Sequence, residues 1–380
     1  MSSESSKKLR SGFTTGAAAA AAVKGALLYL MTGHFPPKVR IPLLTGDRIM
    51  DIPIHTCRAE SERRAVCTVI KDAGDDPDIT HKAEIGAVVE IFPPSRPGEE
   101  ILIKGGKGVG RVTKPGLEIP PGEAAINPGP RKMIRQAVVD VLDSHYRRAL
   151  VSIEIFVPKG EDLAKKTLNA RLGILGGISI LGSTGLVRPM SHDAYIATIA
   201  SALSVAHAMN IPQIVLTTGR RSERFAQNLM PELPEESFIQ MGDFFQKTME
   251  AVSEKGFESI RLAVFFGKAL KMAQGFPHTH AAKSDLSLRK LSEWTGEITG
   301  NPDFARQISQ ANTARHAFEM ISEQYPEMIS HVGKRMVASA RNFASSRLRI
   351  EALIFDFDGN TVYDSASDLP SAPEMGEMSK

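Results

Sequence analysis

The sequence predicts an α/β protein of two domains. An α+β domain on a mainly antiparallel sheet is expected over residues 9–185 and a Rossmann-like α/β domain over 186–362, with disordered tails at 1–8 and 363–380. Three observations carry this. The chain of 380 residues is longer than one average domain and fits two. From Lys38 to Pro94 apolar residues alternate in short runs separated by turn residues, with no helical run between them, which is the pattern of an antiparallel sheet. After Ser191 short apolar strands alternate with helical stretches, which is the pattern of a doubly wound, mostly parallel sheet.

The elements follow in order. Met1 to Lys8 is Ser-rich and polar. Thr14-Thr15-Gly16 opens an Ala-rich helix that runs to Gly33. Lys24 breaks its apolar run, so it reads as a core helix and not as a signal peptide or a membrane span. Strands are expected at Val39–Leu43, Ile49–Ile54, Ala65–Ile70, Ile85–Ile91, Glu100–Lys104 and Leu150–Val157, with a helix after Pro130. In the second half, helices are expected over Ala194–Met209, after Arg220 and over Asp243–Lys255. Strands are expected at Gln213–Thr217, Phe238–Met241, Ser259–Phe266 and Ile350–Phe355.

Composition narrows the class. The hydrophobic share of 42% is ordinary for a globular chain, and a net charge of +3 without a basic block does not point to nucleic acid. Cys57 and Cys67 lack metal-ligand spacing and are expected as free thiols in a reducing, cytoplasmic setting.

The chain is organised around Gly160–Ser191, where Gly173, Gly176, Gly177, Gly182 and Gly185 interleave with Ile and Leu. Such a run needs something to approach the backbone closely, either another strand or a ligand. Lys104–Gly116 reads KGGKGVGRVTKPG. It is neither a Walker loop nor a dinucleotide fingerprint, and Gly108 and Gly110 with Arg111 and Lys114 form a basic backbone nest suited to carboxylates or phosphates. Lys71–His81 reads KDAGDDPDITH. Its spacing fails as a calcium loop, which leaves a solvated acidic turn or a set of proton acceptors around Asp75 and His81. Thr217-Thr218-Gly219-Arg220 and Phe266-Gly267-Lys268 fall at the carboxyl ends of expected parallel strands, where open α/β sheets bind ligands. His278, His280 and Asp285 make a weak metal set. Asp356-Phe-Asp-Gly-Asn-Thr361 mimics the opening motif of a phosphatase that forms an aspartyl-phosphate, but only 19 residues follow Thr361, too few for the rest of such a site.

Taken together, LRSGFTTGAAAAAAVKGAL, KDAGDDPDITHKAEI, GGKGVGRVTKPGL, GEAAINPGPRKMI, LAKKTLNARLGILGGISILGSTGLVRPMS, IVLTTGRR and GKALKMAQG…THAAKSD resemble the CbiD family of cobalt-precorrin-5B C(1)-methyltransferases. The resemblance spans roughly Leu9 to Thr361, with the motifs in the same order; Ala17-Ala18 departs from the Thr or Cys followed by Ala expected there. It implies methyl transfer from S-adenosylmethionine, used as co-substrate, to carbon 1 of cobalt-precorrin-5B, giving cobalt-precorrin-6A in anaerobic cobalamin biosynthesis. Cobalt then arrives within the substrate, and no protein metal site is required.

On this reading Thr217, Thr218, Gly219 and Gly267 are expected at the cofactor. Thr14, Thr15, Gly108, Gly110, Arg111, Lys114, Gly176, Gly177 and Arg188 are expected at the macrocycle, whose acetate and propionate arms call for basic groups. Asp75, His81 and His280 are the candidates for catalytic acid–base work. The expected partner is a small tetrapyrrole; neither nucleic acid nor a membrane is expected, and self-association is left open. A non-catalytic tetrapyrrole carrier and a phosphatase acting through Asp356 and Asp358 are the competing functions.

Overall fold

The structure is a computed structural model that describes residues 9–46, 48–93, 101–145, 147–280, 284–345 and 347–367. The expected tail at 1–8 lies outside them, as do residues 368–380. The chain divides into two compact units, Met1–His192 and Asp193–Lys380.

The first unit contains, in order, β1 (Gly12–Phe13), α1 (Thr15–Thr32), β2 (Lys38–Pro42), β3 (Ile49–Pro53), β4 (Thr56–Ser61), β5 (Arg64–Ile70) and β6 (Glu84–Phe92). There follow β7 (Ile101–Gly105), β8 (Gly108–Val109), β9 (Arg111–Val112), α2 (Pro128–Ser144) and β10 (Leu150–Phe156). α3 (Gly160–Ala164), β11 (Ile174–Leu175), β12 (Gly177–Ile178) and β13 (Leu186–Val187) complete it. Among the described residues its main sheet has five strands in the order β4-β5-β6-β10-β7. All neighbours are antiparallel except β10 and β7.

Helix α1 is the centre of this unit. Ala17 to Ala22 are wholly buried. Small side chains let α1 lie close to both α2 and the sheet; a Cβ at Gly16 would come 2.6 Å from Pro130 Cγ, and one at Gly25 2.9 Å from Ile54 Cδ1. The Thr14 hydroxyl accepts from Ala17 N at 3.2 Å and caps the start. Gly33, left-handed at φ 69°, ends the helix through its N–H to Tyr29 O. Lys24 reaches out to Asp140 at 3.1 Å and to Arg40 O. By length and composition α1 could cross a membrane, but two-thirds of it is buried in this core, as a core helix would be.

The second unit comprises α4 (His192–Ala208), β14 (Gln213–Thr217), α5 (Arg220–Leu229), β15 (Phe238–Gln240), α6 (Phe245–Glu254), β16 (Ser259–Phe265) and α7 (Phe266–Ala273). Then come α8 (Ser284–Thr299), α9 (Pro302–Ser309), α10 (Ala314–Gln324), α11 (Glu327–Phe343), β17 (Arg349–Phe355) and β18 (Thr361–Asp364). The sheet order is β15-β14-β16-β17-β18, parallel through the first four and antiparallel at the last. Strand alternation sorts the core into two layers. Ile214, Leu216, Leu262 and Val264 face a large cluster with Leu203, Met249, Trp294 and Met336. Val215, Ala263, Leu353 and Phe355 face Ala226 and Phe225 of α5. Helices therefore cover both faces, and the expected α/β architecture with its antiparallel companion is present.

Three expectations need correction. Cys57 and Cys67 are not separate thiols: they sit directly opposite across β4 and β5, their Cα atoms 4.1 Å apart, and are joined as a disulfide. The second is the start of the C-terminal tail. Tyr363 is 94% buried by neighbours that include Gly333, and Asp364 accepts from Arg261 at 2.7 Å, so β18 is an integral edge strand. The third is β4, which no alternation announced because nearly all of its side chains are exposed.

Candidate functional site

The carboxyl edge of the parallel sheet in the second unit brings together the most chemistry. Strand β14 is continued on one side through α5 to β15 and on the other lies against β16, so the chain reverses its direction of winding at β14. A short connection leaves β14 for α5 while β16 runs straight into α7, and a reversal of this kind is where open α/β sheets bind ligands. Thr217, Thr218 and Gly219 leave β14, and Phe266 and Gly267 leave β16. Thr217 is fully buried, and among the described residues its hydroxyl oxygen has no hydrogen-bond partner. A buried orphan hydroxyl is unfavourable unless something else satisfies it. Gly219 is extended (φ 166°) and has open space where a Cβ would stand. Gly267 is half-buried, in ordinary contact with Ala314.

The sequence reading missed the groups around these residues. Past β15, Met241 N donates to Thr217 O at 2.8 Å and turns the chain through Gly242 to Asp243. Asp243 Oδ1 pairs with Lys268 Nζ and accepts from Thr279 Oγ1 at 2.9 Å. Since β15 and β16 flank β14, this ion pair spans the end of β14. Burial pushes the Asp243 carboxyl up, but the hydrogen bond and charge of Lys268 and the Thr279 hydroxyl outweigh it and hold the group below the ordinary carboxylate range. Tyr195 of α4 packs on Phe244, ring centroids 5.1 Å apart. Burial, then the charges of Asp243 and Glu223, push its phenol up, so it stays neutral as a donor. Gln240 donates to Glu223 at 2.6 Å. The signal available was a Gly-Asp turn straight after an apolar strand, 24 residues beyond Gly219.

His280 is exposed, and Lys271 Nζ holds its carbonyl oxygen at 2.9 Å. The His278 and His280 rings lie 6.2 Å apart. The Asp285 side chain lies outside the described residues, and among those described no three His, Cys, Asp or Glu side chains gather as a metal site. Asp356 is a turn staple. Its Oδ1 accepts from the backbone N–H of Asp358, Gly359 and Asn360 at 2.7–2.9 Å, and its Oδ2 from Asn360 Nδ2 at 2.8 Å. A carboxylate so fully occupied is a poor nucleophile, which removes the basis of the phosphatase reading.

In the first unit the glycines meet one another. A Cβ on Gly177 or on Gly160 would run into the backbone of Gly108, and one on Gly108 into the Val157 carbonyl. β12 pairs with β8 at Gly177 and Gly108, and Gly110 N donates to Ile178 O at 2.9 Å. These glycines are buried at a backbone crossing. Gly176 differs: it is exposed, left-handed at φ 78°, and has open space beside it. Leu175 and Leu181 stand out from the same stretch, each about half exposed.

Thr14 and Thr15 are buried. Thr14 is the α1 cap, and Thr15 Oγ1 accepts from Leu181 N at 2.9 Å, so the pair fastens the glycine stretch to the head of α1. The Arg111 guanidinium donates to Gly122 O and closes its own loop, with the rest of the side chain exposed. Lys114 Nζ donates to Arg171 O at 3.3 Å.

The acidic loop is braced from within. Arg10 pairs with Asp72, and its backbone N–H donates to Asp75 Oδ2 at 2.6 Å. Asp76 accepts from Met190 N at 2.9 Å. Asp78 pairs at 2.5 Å with Lys71, which is only 1% exposed. Burial raises the Asp78 carboxyl, and the charge and hydrogen bond of Lys71 bring it below the ordinary range. His81 Nδ1 accepts from Ala73 N at 3.1 Å, which leaves Nε2 as the protonated nitrogen of the neutral ring. Arg188 is exposed on the rim of a cavity of about 260 Å³ between Leu43–Arg48 and Thr184–Arg188.

Comparison with known proteins identifies relatives of the whole chain. The family model described as CbiD matches residues 2–189, and the model described as CbiD, C-terminal domain, matches residues 278–366. The cobalt-precorrin-5B C(1)-methyltransferase of Priestia megaterium is 45% identical over 83% of this chain and 85% of its own length. The proteins of the same name from Nitratidesulfovibrio vulgaris and Geobacter sulfurreducens are 40% and 42% identical, over 92% and 94% of this chain and 91% and 99% of theirs. A crystal structure of the cobalamin biosynthesis protein CbiD from Archaeoglobus fulgidus is 26% identical over 68% of this chain and 78% of that one, with a TM-score of 0.39. Identity sustained at this level over nearly the full length of both sequences settles the relationship: the chain belongs to the CbiD family.

Proposed function

We propose that the protein transfers a methyl group from S-adenosylmethionine to carbon 1 of cobalt-precorrin-5B, forming cobalt-precorrin-6A and S-adenosylhomocysteine. The name shared by its relatives supports the reaction. The observation that carries the cofactor assignment is the orphan Thr217 hydroxyl beside the open backbone at Gly219, at the point where the winding reverses. Bound there, S-adenosylmethionine would supply a methyl group already activated on a sulfonium. The chain's own work is then positioning and exclusion of water. Thr217 offers a hydroxyl to a polar edge of the nucleoside, and Gly219 lets it approach the backbone. Asp243 Oδ1 is taken by Lys268 and Thr279, which holds the carboxyl still and leaves Oδ2 to accept from ribose hydroxyls.

For the macrocycle, Gly176 with Leu175 and Leu181 presents an apolar, low-relief patch to a flat ring, and Arg111, Lys114 and Arg188 supply charge for its carboxylates. The macrocycle gains a methyl group and gives up one proton. His81 Nδ1 and Asp75 Oδ2 accept from backbone N–H groups, and the exposed Asp75 keeps Oδ1 as the group that takes this proton. The cobalt belongs to the substrate. A cytoplasmic location is part of the proposal, and localisation of the tagged full chain in its host checks it.

Calorimetry with S-adenosylhomocysteine tests the reading directly. The protein should bind it, and Gly219→Val should weaken binding at least tenfold while leaving Tm unchanged, because the added side chain enters open space. A non-catalytic carrier would bind the macrocycle and show no affinity for S-adenosylhomocysteine.

A further inference from the structure

The cavity beside Arg188 has a second basic arm that the sequence reading did not include. Its walls are the turn between β2 and β3, with Leu43, Thr45 and Arg48, and the segment carrying Thr184, Leu186 and Arg188. Both guanidinium groups are exposed, and among the described residues neither has an ion-pair or hydrogen-bond partner. Nearby basic groups behave otherwise: Lys38 and Arg40 on β2 both pair with Asp51. Hydrogen bonds tie the walls together. Leu43 N donates to Arg48 O at 2.9 Å and closes the turn, and Leu44 N donates to Thr184 O at 3.0 Å and joins one wall to the other. Thr14 N donates to Gly185 O at 3.0 Å and anchors the second wall to the head of α1. Gly185 is left-handed at φ 88°, and a Cβ there would come 2.8 Å from Leu43 Cδ2, so the second wall reaches this depth only as glycine.

We propose that Arg48 and Arg188 form a clamp for one carboxylate arm of the tetrapyrrole. Two guanidiniums, unpaired among the described residues, on the rim of one cavity match a planar carboxylate, which accepts bidentate hydrogen bonds from such forks. Size sets the limit on what enters. At about 260 Å³ the cavity is smaller than the ~300–1,000 Å³ that whole small-molecule ligands occupy, so it takes a side arm and leaves the ring outside. Leu43 and Leu186 line the stem of the arm, and the Thr45 hydroxyl offers a further donor at the rim. The inference rests on the tetrapyrrole reading above.

The test uses the full chain and uroporphyrin III, a tetrapyrrole with eight carboxylates, followed by fluorescence quenching. Arg48→Gln and Arg188→Gln should each weaken binding by roughly tenfold to a hundredfold, as expected for losing a charge-assisted hydrogen bond. The double variant should lose less than the product of the two single losses, because both arms hold the same group. Affinity for S-adenosylhomocysteine and Tm should match the wild type in all three. Unchanged porphyrin affinity in the single variants overturns the clamp while leaving the methyltransferase reading intact, and so do losses that simply multiply. Inorganic phosphate distinguishes a phosphate site from a carboxylate clamp: if it binds tightly and loses affinity in both variants, the assignment to a carboxylate arm is wrong. A wild-type chain that binds neither porphyrin nor S-adenosylhomocysteine fails the underlying reading as well.

Discussion

Asp78→Asn separates a structural role for Asp78 from a catalytic one. Lys71 is 1% exposed, and its ammonium meets Asp78 Oδ2 at 2.5 Å. The substitution removes the charge and leaves a buried cation facing a neutral amide. Breaking a buried pair by removing one partner costs about 3–5 kcal/mol. Asp78 itself is 25% exposed, so water reaches the pair from one side and the lower end of that range applies, about 3 kcal/mol. In a domain of this size each kcal/mol moves Tm by about 2–4 °C, which gives a fall of about 6–12 °C. Replacing both residues, as Lys71→Met with Asp78→Asn, should recover much of the loss, since no charge is then buried. Thermal unfolding followed by circular dichroism measures all three variants. An unchanged Tm in Asp78→Asn together with lost turnover would refute the structural role and place Asp78 in the chemistry.

The remaining predictions concern the glycines, the false phosphatase motif and acid. Gly177→Ala should cost about 3 kcal/mol or more, the upper end for overpacking, because the obstacle is the Gly108 backbone, whereas Gly176→Ala should cost only about 1–2 kcal/mol for a left-handed residue with free space; urea unfolding compares them. Asp356→Asn should leave methyl transfer within a factor of a few of wild type while lowering Tm, since the turn loses a charged acceptor for its N–H groups; abolished turnover would revive a catalytic Asp356. Asp72, Asp78, Asp243 and Asp356 all have folded-state values held below the ordinary one, so they bind fewer protons folded than unfolded. Their contribution is therefore complete above about pH 4 and is lost as pH falls through the depressed values; Tm against pH should drop below about pH 4 and drop less steeply in Asp78→Asn.

Much of the fold was legible because burial imposes a period. β2, β5, β6 and β10 are each buried on at least one face, and β14, β16 and β17 show as apolar runs. β4 was not, because Thr56–Ser61 is an exposed edge whose extended state is imposed by its pairing with β5. β18 was hidden by polar neighbours, and only Tyr363 is buried. At the sites, the rule that ligands meet strand ends found Thr217, Gly219 and Gly267. It could not find the Asp243–Lys268 pair, which forms only when β15 and β16 settle on either side of β14. The glycines announced a close approach without saying what approaches. Gly108, Gly160 and Gly177 turn out to approach one another, and Gly12 and Gly74 do the same. Arg48 and Arg188, 140 residues apart in sequence, line one cavity because the fold joins its two walls.

The central claim is tested most directly by single-turnover reaction of the purified protein with cobalt-precorrin-5B and S-adenosylmethionine labelled in its methyl group. The account predicts one labelled methyl on carbon 1 of the product, with one equivalent of S-adenosylhomocysteine. Label on a different carbon, or tight binding of both ligands without transfer, would contradict it.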